Sequence, residues 1–254
     1  MKSKAIGFIV AVGGYILYLL SGVFAAFAVF AFEFMKTFFE KGKVISFSDS
    51  FQGIVEKSSS SVLLLSYVIV TVFVFGFLKI RHKNVEKYTG LSGVYPLGVF
   101  GAIVLGVTLN FVTFSLLSPD VSYDREITGL LMSCVIMSPF VEELVFRGVL
   151  FRLFGKVCGA FSAMIITSLL FAISHTGAVQ MIYTFILGIV LCVVRVRSAS
   201  LWNAIALHLA FNLSGMVLAT SELELPGIVF LVLPILMILS FVLACSGKRK
   251  VRRK

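Results

Sequence analysis

Long apolar runs recur along the whole chain and constrain its fold more than any other feature. They lie at residues 5–32, 62–78, 94–117, 127–150, 160–174, 178–194, 201–220 and 227–244. A helix needs about 20 apolar residues to cross the hydrocarbon core of a bilayer, where backbone polar groups must be hydrogen-bonded within the protein. The pattern therefore predicts an all-α, polytopic integral membrane protein with about eight transmembrane helices.

The composition excludes the water-soluble classes of protein. Of the 254 residues, 59% are hydrophobic and 13% are charged, whereas a soluble domain carries about 25% charged residues. So little polar surface cannot cover a domain of this size in water. Soluble enzymes, nucleic-acid-binding proteins and disordered proteins are therefore excluded.

The four cysteines do not suggest a disulfide framework or a zinc site. Cys134, Cys158, Cys192 and Cys245 lie singly within or beside apolar runs, and no two of them have the CxxC spacing. We interpret them as small hydrophobic residues of the core.

The placement of the charged residues predicts an orientation in the membrane. If both termini are cytoplasmic, seventeen of the 22 Lys and Arg residues fall on the inner side and nine of the twelve acidic residues on the outer side. This distribution follows the positive-inside rule. We therefore expect a multi-pass protein of the plasma membrane with both termini cytoplasmic. Lys2 and Lys4 before the first run also resemble the start of a signal peptide, but the run is too long for one and is expected to be a retained span.

Ionisable side chains interrupt the fourth apolar run. Such groups are costly inside a membrane span and usually mark function. Adjacent residues on a helix point about 100° apart, so Glu142 and Glu143 cannot share one task. Glu143 and Arg147 stand at i,i+4 and can pair, which leaves Glu142 to face another helix. The alternative is a purely structural ion network at a helix end.

Two histidines and an asparagine interrupt later runs. His175 ends the fifth run, where it could also be an ordinary capping or interfacial residue. His208 and Asn212 are four residues apart and project from the same face of a helix, where they could also serve helix–helix hydrogen bonding.

Taken together, these residues offer a carboxylate, two imidazoles and a carboxamide on three spans. A Glu beside a His can activate water, and a second His with an Asn can donate hydrogen bonds to an oxyanion. The same groups could hold a divalent metal such as zinc, with Glu142, His175 and His208 as ligands, although an HExxH motif is absent. The residues therefore predict hydrolysis within the membrane, most simply of a peptide bond.

The order and spacing of these motifs resemble the signature of the CPBP family, which comprises CAAX proteases and bacteriocin-processing enzymes and is also called the Abi family. The resemblance covers roughly residues 138–214 and implies an all-α membrane endopeptidase with a CAAX-protease-like core. The motifs that carry it are Glu142-Glu143-x-x-x-Arg147, Phe171-x-x-x-His175 and His208-x-x-x-Asn212.

The resemblance also implies roles for single residues and a division of the chain. Glu142 and His175 would activate the water, His208 and Asn212 would bind the oxyanion, and Glu143 and Arg147 would support the site. Residues 1–120 would form three N-terminal transmembrane helices, 121–220 the catalytic core, and 221–254 the last helix with a basic cytoplasmic tail.

Cofactor, partners and class of function remain open at the level of the sequence. Family members are described both as metalloproteases and as metal-free glutamate enzymes; we favour the metal-free mechanism because the groups come from three helices. The expected partners are the lipid bilayer and a membrane-bound or lipid-modified peptide substrate, without nucleic acid. The alternatives are a non-catalytic membrane partner, such as a bacteriocin self-immunity protein, and a small proton-relaying transporter.

One geometric difficulty concerns the depth of His175. At about 1.5 Å per residue, His208 lies about 12 Å from the cytoplasmic end of its span. If the fifth span began at Lys156, His175 would lie near the opposite end. A shared site therefore requires the fifth helix to tilt or to begin deeper, for which Gly148, Gly155 and Gly159 could supply a bend or a re-entrant segment.

Overall fold

The computed structural model describes residues 2–41, 58–81, 83–117, 131–220 and 229–247, which form helices and short connections without a strand. In chain order the helices are α1 (Lys2–Lys41), α2 (Ser59–Ile80), α3 (Val85–Thr89), α4 (Pro96–Leu117), α5 (131–158), α6 (Ala160–Ile173), α7 (Ala178–Ser198), α8 (Leu201–Thr220) and α9 (Val229–Ala244). Each of the eight predicted apolar runs coincides with one of these helices, and only the short α3 lies between runs. The prediction of an all-α polytopic membrane protein is confirmed.

The number of complete spans is approximate. Among the helices that the structure describes, five (α1, α2, α4, α7 and α8) are long and apolar enough to cross a membrane by length and composition. The apolar helices α6 and α9 are shorter, and α5 combines segments of different helical type. The count of about eight therefore agrees with the number of apolar helices, whereas five meet the length of a full span.

Helix α5 lies at the centre of the bundle. Every residue from Val141 to Leu150 is buried, as expected for a helix that has neighbours on all sides. Its α-helical turn Ser138–Glu143 lies between two π-helical segments, Leu131–Met137 and Leu144–Leu150, before the α-helix resumes at Phe151. Pro139 lacks a backbone N–H and so cannot continue the regular bonding of the turn before it. Such π segments are uncommon and occur frequently at functional sites.

Two apolar clusters hold the bundle together. The larger cluster joins α5 to α1, α2, α6 and α8, with Tyr15, Val74, Phe146 and Phe171 among its buried members. The smaller cluster joins α4, α7, α8 and α9. Through the larger cluster, helix α5 contacts helices from both the N-terminal and the later part of the chain.

Helix α6 begins at Ala160, the first residue of its apolar run and four residues after Lys156, and it ends at Ile173. Gly159, with φ of 86°, separates it from α5, and this left-handed region is readily open to glycine. With 14 residues and a rise of about 1.5 Å per residue, α6 is only about 21 Å long. The turn that contains His175 therefore lies within the bundle, which removes the difficulty of depth.

Several sequence predictions fall outside the described residues. They are the loop charges at 42–57, 118–130 and 221–228, the basic tail from residue 248 onward, and the environment of the Cys134 side chain. Of the other cysteines, Cys192 is buried, Cys158 is exposed and Cys245 is half-buried, and all three are free thiols. The predicted division at residues 120 and 220 stays a prediction.

Close packing of α4 against α8 predicts that Gly106 cannot carry a larger side chain. A Cβ atom at Gly106 would meet the carbonyl oxygen of Leu207, whereas one at Gly76 on α2 would meet nothing within 4 Å. We expect Gly106→Ala to destabilise the protein by about 1–3 kcal/mol through overpacking, measured as a lower midpoint of thermal unfolding in detergent. The matched Gly76→Ala variant should be no less stable than wild type. Equal midpoints for the two variants would contradict this packing.

Candidate active site

A buried ion pair on α5 anchors the site. The Nη1 atom of Arg147 donates to Oε1 of Glu143 at 2.7 Å, and both side chains are completely buried. The i,i+4 pair expected from the sequence is thus present. Arg147 also donates from Nη2 to the carbonyl oxygen of Gly188 on α7 at 3.2 Å, and its guanidinium lies 4.4 Å from the ring centroid of Phe171 on α6. The pair therefore connects three helices.

Glu142 is also buried, but its carboxylate faces different partners from that of Glu143. The hydroxyl of Ser138, one turn earlier on α5, donates to Glu142 Oε1 at 2.6 Å. Within the described part of the chain, Oε2 has no hydrogen-bond partner, and it lies 3.8 Å from Nε2 of His208 on α8. The two adjacent carboxylates therefore have different surroundings, as the 100° separation predicted.

His208 lies between the two carboxylates. Its Nδ1 atom is 3.1 Å from Oε1 of Glu143, while Nε2 is directed toward Glu142. Because an ionised carboxylate can only accept a hydrogen bond, Nδ1 is the donor in this contact. The sequence predicted the pairing of His208 with Asn212 on one helix face but not the contact of His208 with Glu143.

His175 lies in the turn that follows α6. Its Nδ1 atom donates to the carbonyl oxygen of Phe171 at 2.8 Å, which assigns the proton to Nδ1 in the neutral ring and leaves Nε2 as an acceptor. The Phe171 ring packs edge-on against both imidazoles, with centroid distances of 4.7 Å to His175 and 5.6 Å to His208. Phe171 therefore fixes the position of both rings.

Glu142, His175, His208 and Asn212 line a single cavity inside the bundle. Its volume is about 830 Å³, within the range of about 300–1,000 Å³ usual for ligand-binding sites. Helices α1, α2, α4, α5, α7 and α8 and the turn after α6 all contribute to its walls. The four residues singled out from the sequence thus share one polar cavity, although they are spread over some 70 positions of the chain.

Three further cavity residues were missed by the sequence analysis. Tyr18 on α1 lines the cavity and interacts with Glu142, but it lies in an apolar run with no motif to distinguish it. Asn110 on α4 is buried and also faces the cavity; as a carboxamide within an apolar run, it could have been selected. Ser138 could have been found from its i,i+4 spacing to Glu142.

The described residues do not form a ligand set for a metal ion. No group of three or more His, Cys, Asp and Glu side chains converges among them. Glu143, the second carboxylate near the imidazoles, is paired with Arg147. The expected zinc ligands Glu142, His175 and His208 thus share a cavity without forming a coordination site of the usual geometry.

The central part of the chain has recognisable relatives. Residues 125–214 match the model of the family described as type II CAAX prenyl endopeptidase Rce1-like. This match is consistent with the CPBP family. The match includes every residue that the sequence analysis placed in the site, and it confirms the resemblance stated from the three motifs.

Two bacterial proteins share weaker similarity with the chain. An "Uncharacterized 24.3 kDa protein" of Escherichia coli is 26% identical over 146 residues, which cover 54% of this chain and 65% of the relative. The UPF0177 protein YaiF of Lactococcus lactis subsp. lactis (strain IL1403) is 24% identical over 178 residues, or 63% of this chain and 80% of the relative. The chain thus spans less than two thirds of the first of these proteins. No solved structure matches the chain.

The buried ion pair of Glu143 with Arg147 predicts different effects for the two adjacent glutamates. Glu143→Gln would leave Arg147 buried without a counter-charge, which costs about 3–5 kcal/mol. We expect a much lower midpoint of thermal unfolding in detergent for this variant. Glu142→Gln is the matched control, because its amide oxygen can still accept from Ser138, and its midpoint should stay near that of wild type. Equal losses in the two variants would contradict the assignment of the structural charge to Glu143.

Proposed function

We propose that the protein is an intramembrane endopeptidase of the CPBP type, which hydrolyses a peptide bond of a membrane-associated substrate. The observation that carries the proposal is the shared cavity of Glu142, His175, His208 and Asn212 within a bundle of apolar helices. The Rce1-like match supports protease activity at the level of the family. Site, mechanism and substrate are our inference.

In the proposed mechanism, Glu142 is the general base. Its Oε2 atom is buried and has no hydrogen-bond partner in the described chain, so it can bind a water molecule in the cavity. Nε2 of His175 is an acceptor and can orient the same water. Glu142 takes one proton as the water oxygen attacks the peptide carbonyl carbon. General-base catalysis of this kind contributes about 10²–10⁴-fold to a rate.

His208 and Asn212 are the proposed donors to the oxyanion. With both nitrogens protonated, His208 keeps Nδ1 on Glu143 and donates from Nε2 toward the cavity. The carboxamide of Asn212, one turn further along α8, can donate a second hydrogen bond. Donors fixed before the reaction stabilise the tetrahedral intermediate without reorganisation. The intermediate collapses with cleavage of the C–N bond, and Glu142 returns its proton to the leaving amine.

Glu143 and Arg147 act as positioning residues in this proposal. Glu143 holds His208 by the 3.1 Å contact at Nδ1, and Arg147 holds Glu143. Neither side chain is among the residues that line the cavity. Their contribution is to fix the orientation of the imidazole that faces the substrate.

The proposed substrate is a membrane-bound or lipid-modified peptide. An apolar groove of about 330 Å³ lies between α1, α2 and α5, and it shares Tyr18 and Ser21 with the catalytic cavity. This continuity would allow an apolar chain attached to a peptide to lie in the groove while the peptide enters the cavity. We place the protein in the plasma membrane, with both termini cytoplasmic and no role in nucleic-acid binding.

A metal-free mechanism predicts that chelation leaves activity intact. The described residues do not fit a metal site, and every step proposed here uses side chains of the chain. We expect purified protein dialysed against EDTA to keep its peptidase activity within the error of the assay, and metal analysis to find less than one equivalent of zinc. A loss of activity on chelation that added zinc restores would contradict this mechanism.

Catalysis predicts that Glu142→Gln and His208→Ala abolish function in an inserted protein. Loss of a general base or of an oxyanion donor lowers a rate by about 10²-fold or more. Comparison of membrane-derived peptides from cells with wild-type or variant protein measures this loss. Glu86→Gln, which removes an exposed carboxylate on α3, is the control and should behave as wild type. Full biological effect in both site variants would instead support a non-catalytic partner, such as a self-immunity protein.

A further inference from the structure

The described cations gather at one end of the helix bundle, which we call the basic end. Contacts define it: the ring of Phe8, near the start of α1, packs against Phe154, near the end of α5, and the Arg152 guanidinium lies 5.2 Å from the ring centroid of Tyr88 on α3. Arg195, near the end of α7, donates to the carbonyl oxygen of Thr89 at 2.8 Å. The cations of the basic end are Lys4, Lys79, Arg81, Lys83, Lys87, Arg152, Lys156, Arg195 and Arg197.

The opposite end has a different balance of charge. Beyond the middle of α1, the described side chains include Lys36, which lies 3.8 Å from Glu33, and a second acidic residue, Glu40. When Lys2 and Lys41, the two ends of α1, are included, ten cations lie at the basic end against two at the other, which is the asymmetry that the positive-inside rule associates with the cytoplasmic side. The basic end is therefore assigned to the cytoplasm.

The catalytic cavity extends away from the basic end. Beyond Glu142 and His208, its walls are formed by Phe114 near the end of α4, Val135 near the start of α5 and Met216 near the end of α8. These positions lie at the far ends of their helices. Within the described chain, none of the residues that line the cavity comes from the segments 79–95, 150–158 or 195–203 that build the basic end.

The short helix α6 forms one side of the opening. It ends at Ile173, level with the site, and the exposed residues Thr176 and Gly177 line the cavity before α7 begins. Helices α5 and α8 extend past this level, to residues 131 and 220. Among the described residues, the end of α6 thus leaves a path from the buried carboxylate toward the side opposite the basic end.

We infer that the cavity opens to the extracytoplasmic side, and that the substrate is a peptide segment presented at the extracytoplasmic end of a membrane anchor. The assignment of a substrate rests on the proposed function, whereas the direction of the opening does not. Hydrolysis needs water and releases a charged carboxylate and a charged amine, which cannot rest in hydrocarbon. A path to the extracytoplasmic face supplies the water and releases the products.

Thiol labelling of intact cells tests the direction of the opening. All four native cysteines are replaced by alanine, and one cysteine is returned in each variant: Thr176→Cys at the cavity, Lys87→Cys at the basic end, or the native Cys158, exposed near the end of α5. A membrane-impermeant maleimide is applied before and after permeabilisation. We expect Thr176→Cys to label equally in both conditions, and the other two thiols to label only after permeabilisation.

The remaining labelling patterns overturn the inference. Labelling of Thr176→Cys only after permeabilisation would place the cavity on the cytoplasmic side. No labelling of Thr176→Cys in either condition would show that the cavity is closed to water. Labelling of Lys87→Cys in intact cells would place the basic end outside. Each protein is first checked for insertion into the membrane fraction, so that a misfolded variant is not counted.

Positions of cleavage test the substrate separately. Peptides present in cells with wild-type protein and absent with Glu142→Gln are mapped onto the topology of their parent proteins. We expect the cleaved bonds to lie on the extracytoplasmic side of the parent's membrane span. Cleaved bonds on the cytoplasmic side would overturn this inference but would not contradict the proposed protease activity. No difference between the two peptide sets would overturn the proposed protease, even with the labelling pattern as expected.

Discussion

The buried pair of Glu143 and Arg147 is the interaction on which the rest of the site depends. Two charges removed from water need each other in good geometry, and further partners offset more of the cost of burial. Arg147 has such partners in Gly188 and the ring of Phe171, and Glu143 has His208, whereas Nε of Arg147 and Oε2 of Glu143 have no hydrogen-bond partner in the described chain. Because these partners lie on α6, α7 and α8, the pair fixes three helices around α5. The imidazole of His208 is placed at the cavity as a consequence.

This arrangement also explains small residues far from the motifs. A Cβ atom at Gly188 would lie 3.2 Å from the Arg147 guanidinium and 3.0 Å from the Cβ of Ser168. Glycine at this position therefore lets the backbone of α7 approach closely enough for its carbonyl oxygen to accept from Arg147. The ion pair thus constrains the packing of α7 against both α5 and α6.

Sequence alone predicted features that depend on local spacing. The eight apolar runs located the helices because burial in lipid demands long apolar segments. The i,i+4 relation predicted the contact of Glu143 with Arg147, and the interruption of apolar runs selected the residues that line the cavity. Tyr18 and the contact of His208 with Glu143 could not be found in this way, because they depend on how distant helices cross. The π segments of α5 depend on packing and backbone geometry that no residue pattern here encodes.

Glu142 and Glu143 carry the same carboxylate at adjacent positions, and their surroundings separate their roles. The charge of Glu143 is compensated by Arg147 at 2.7 Å, so this carboxylate serves the structure of the site. Glu142 has a hydroxyl donor, no cationic partner within hydrogen-bond distance, and one oxygen directed to a cavity that contains two imidazoles. A buried carboxylate whose nearest cationic group is the His208 imidazole, 3.8 Å away, is costly in an apolar bundle, and the short helical turn that holds it is flanked by two π segments. This cost is the physical reason for our proposal that Glu142 transfers the proton and that Glu143 supports the site.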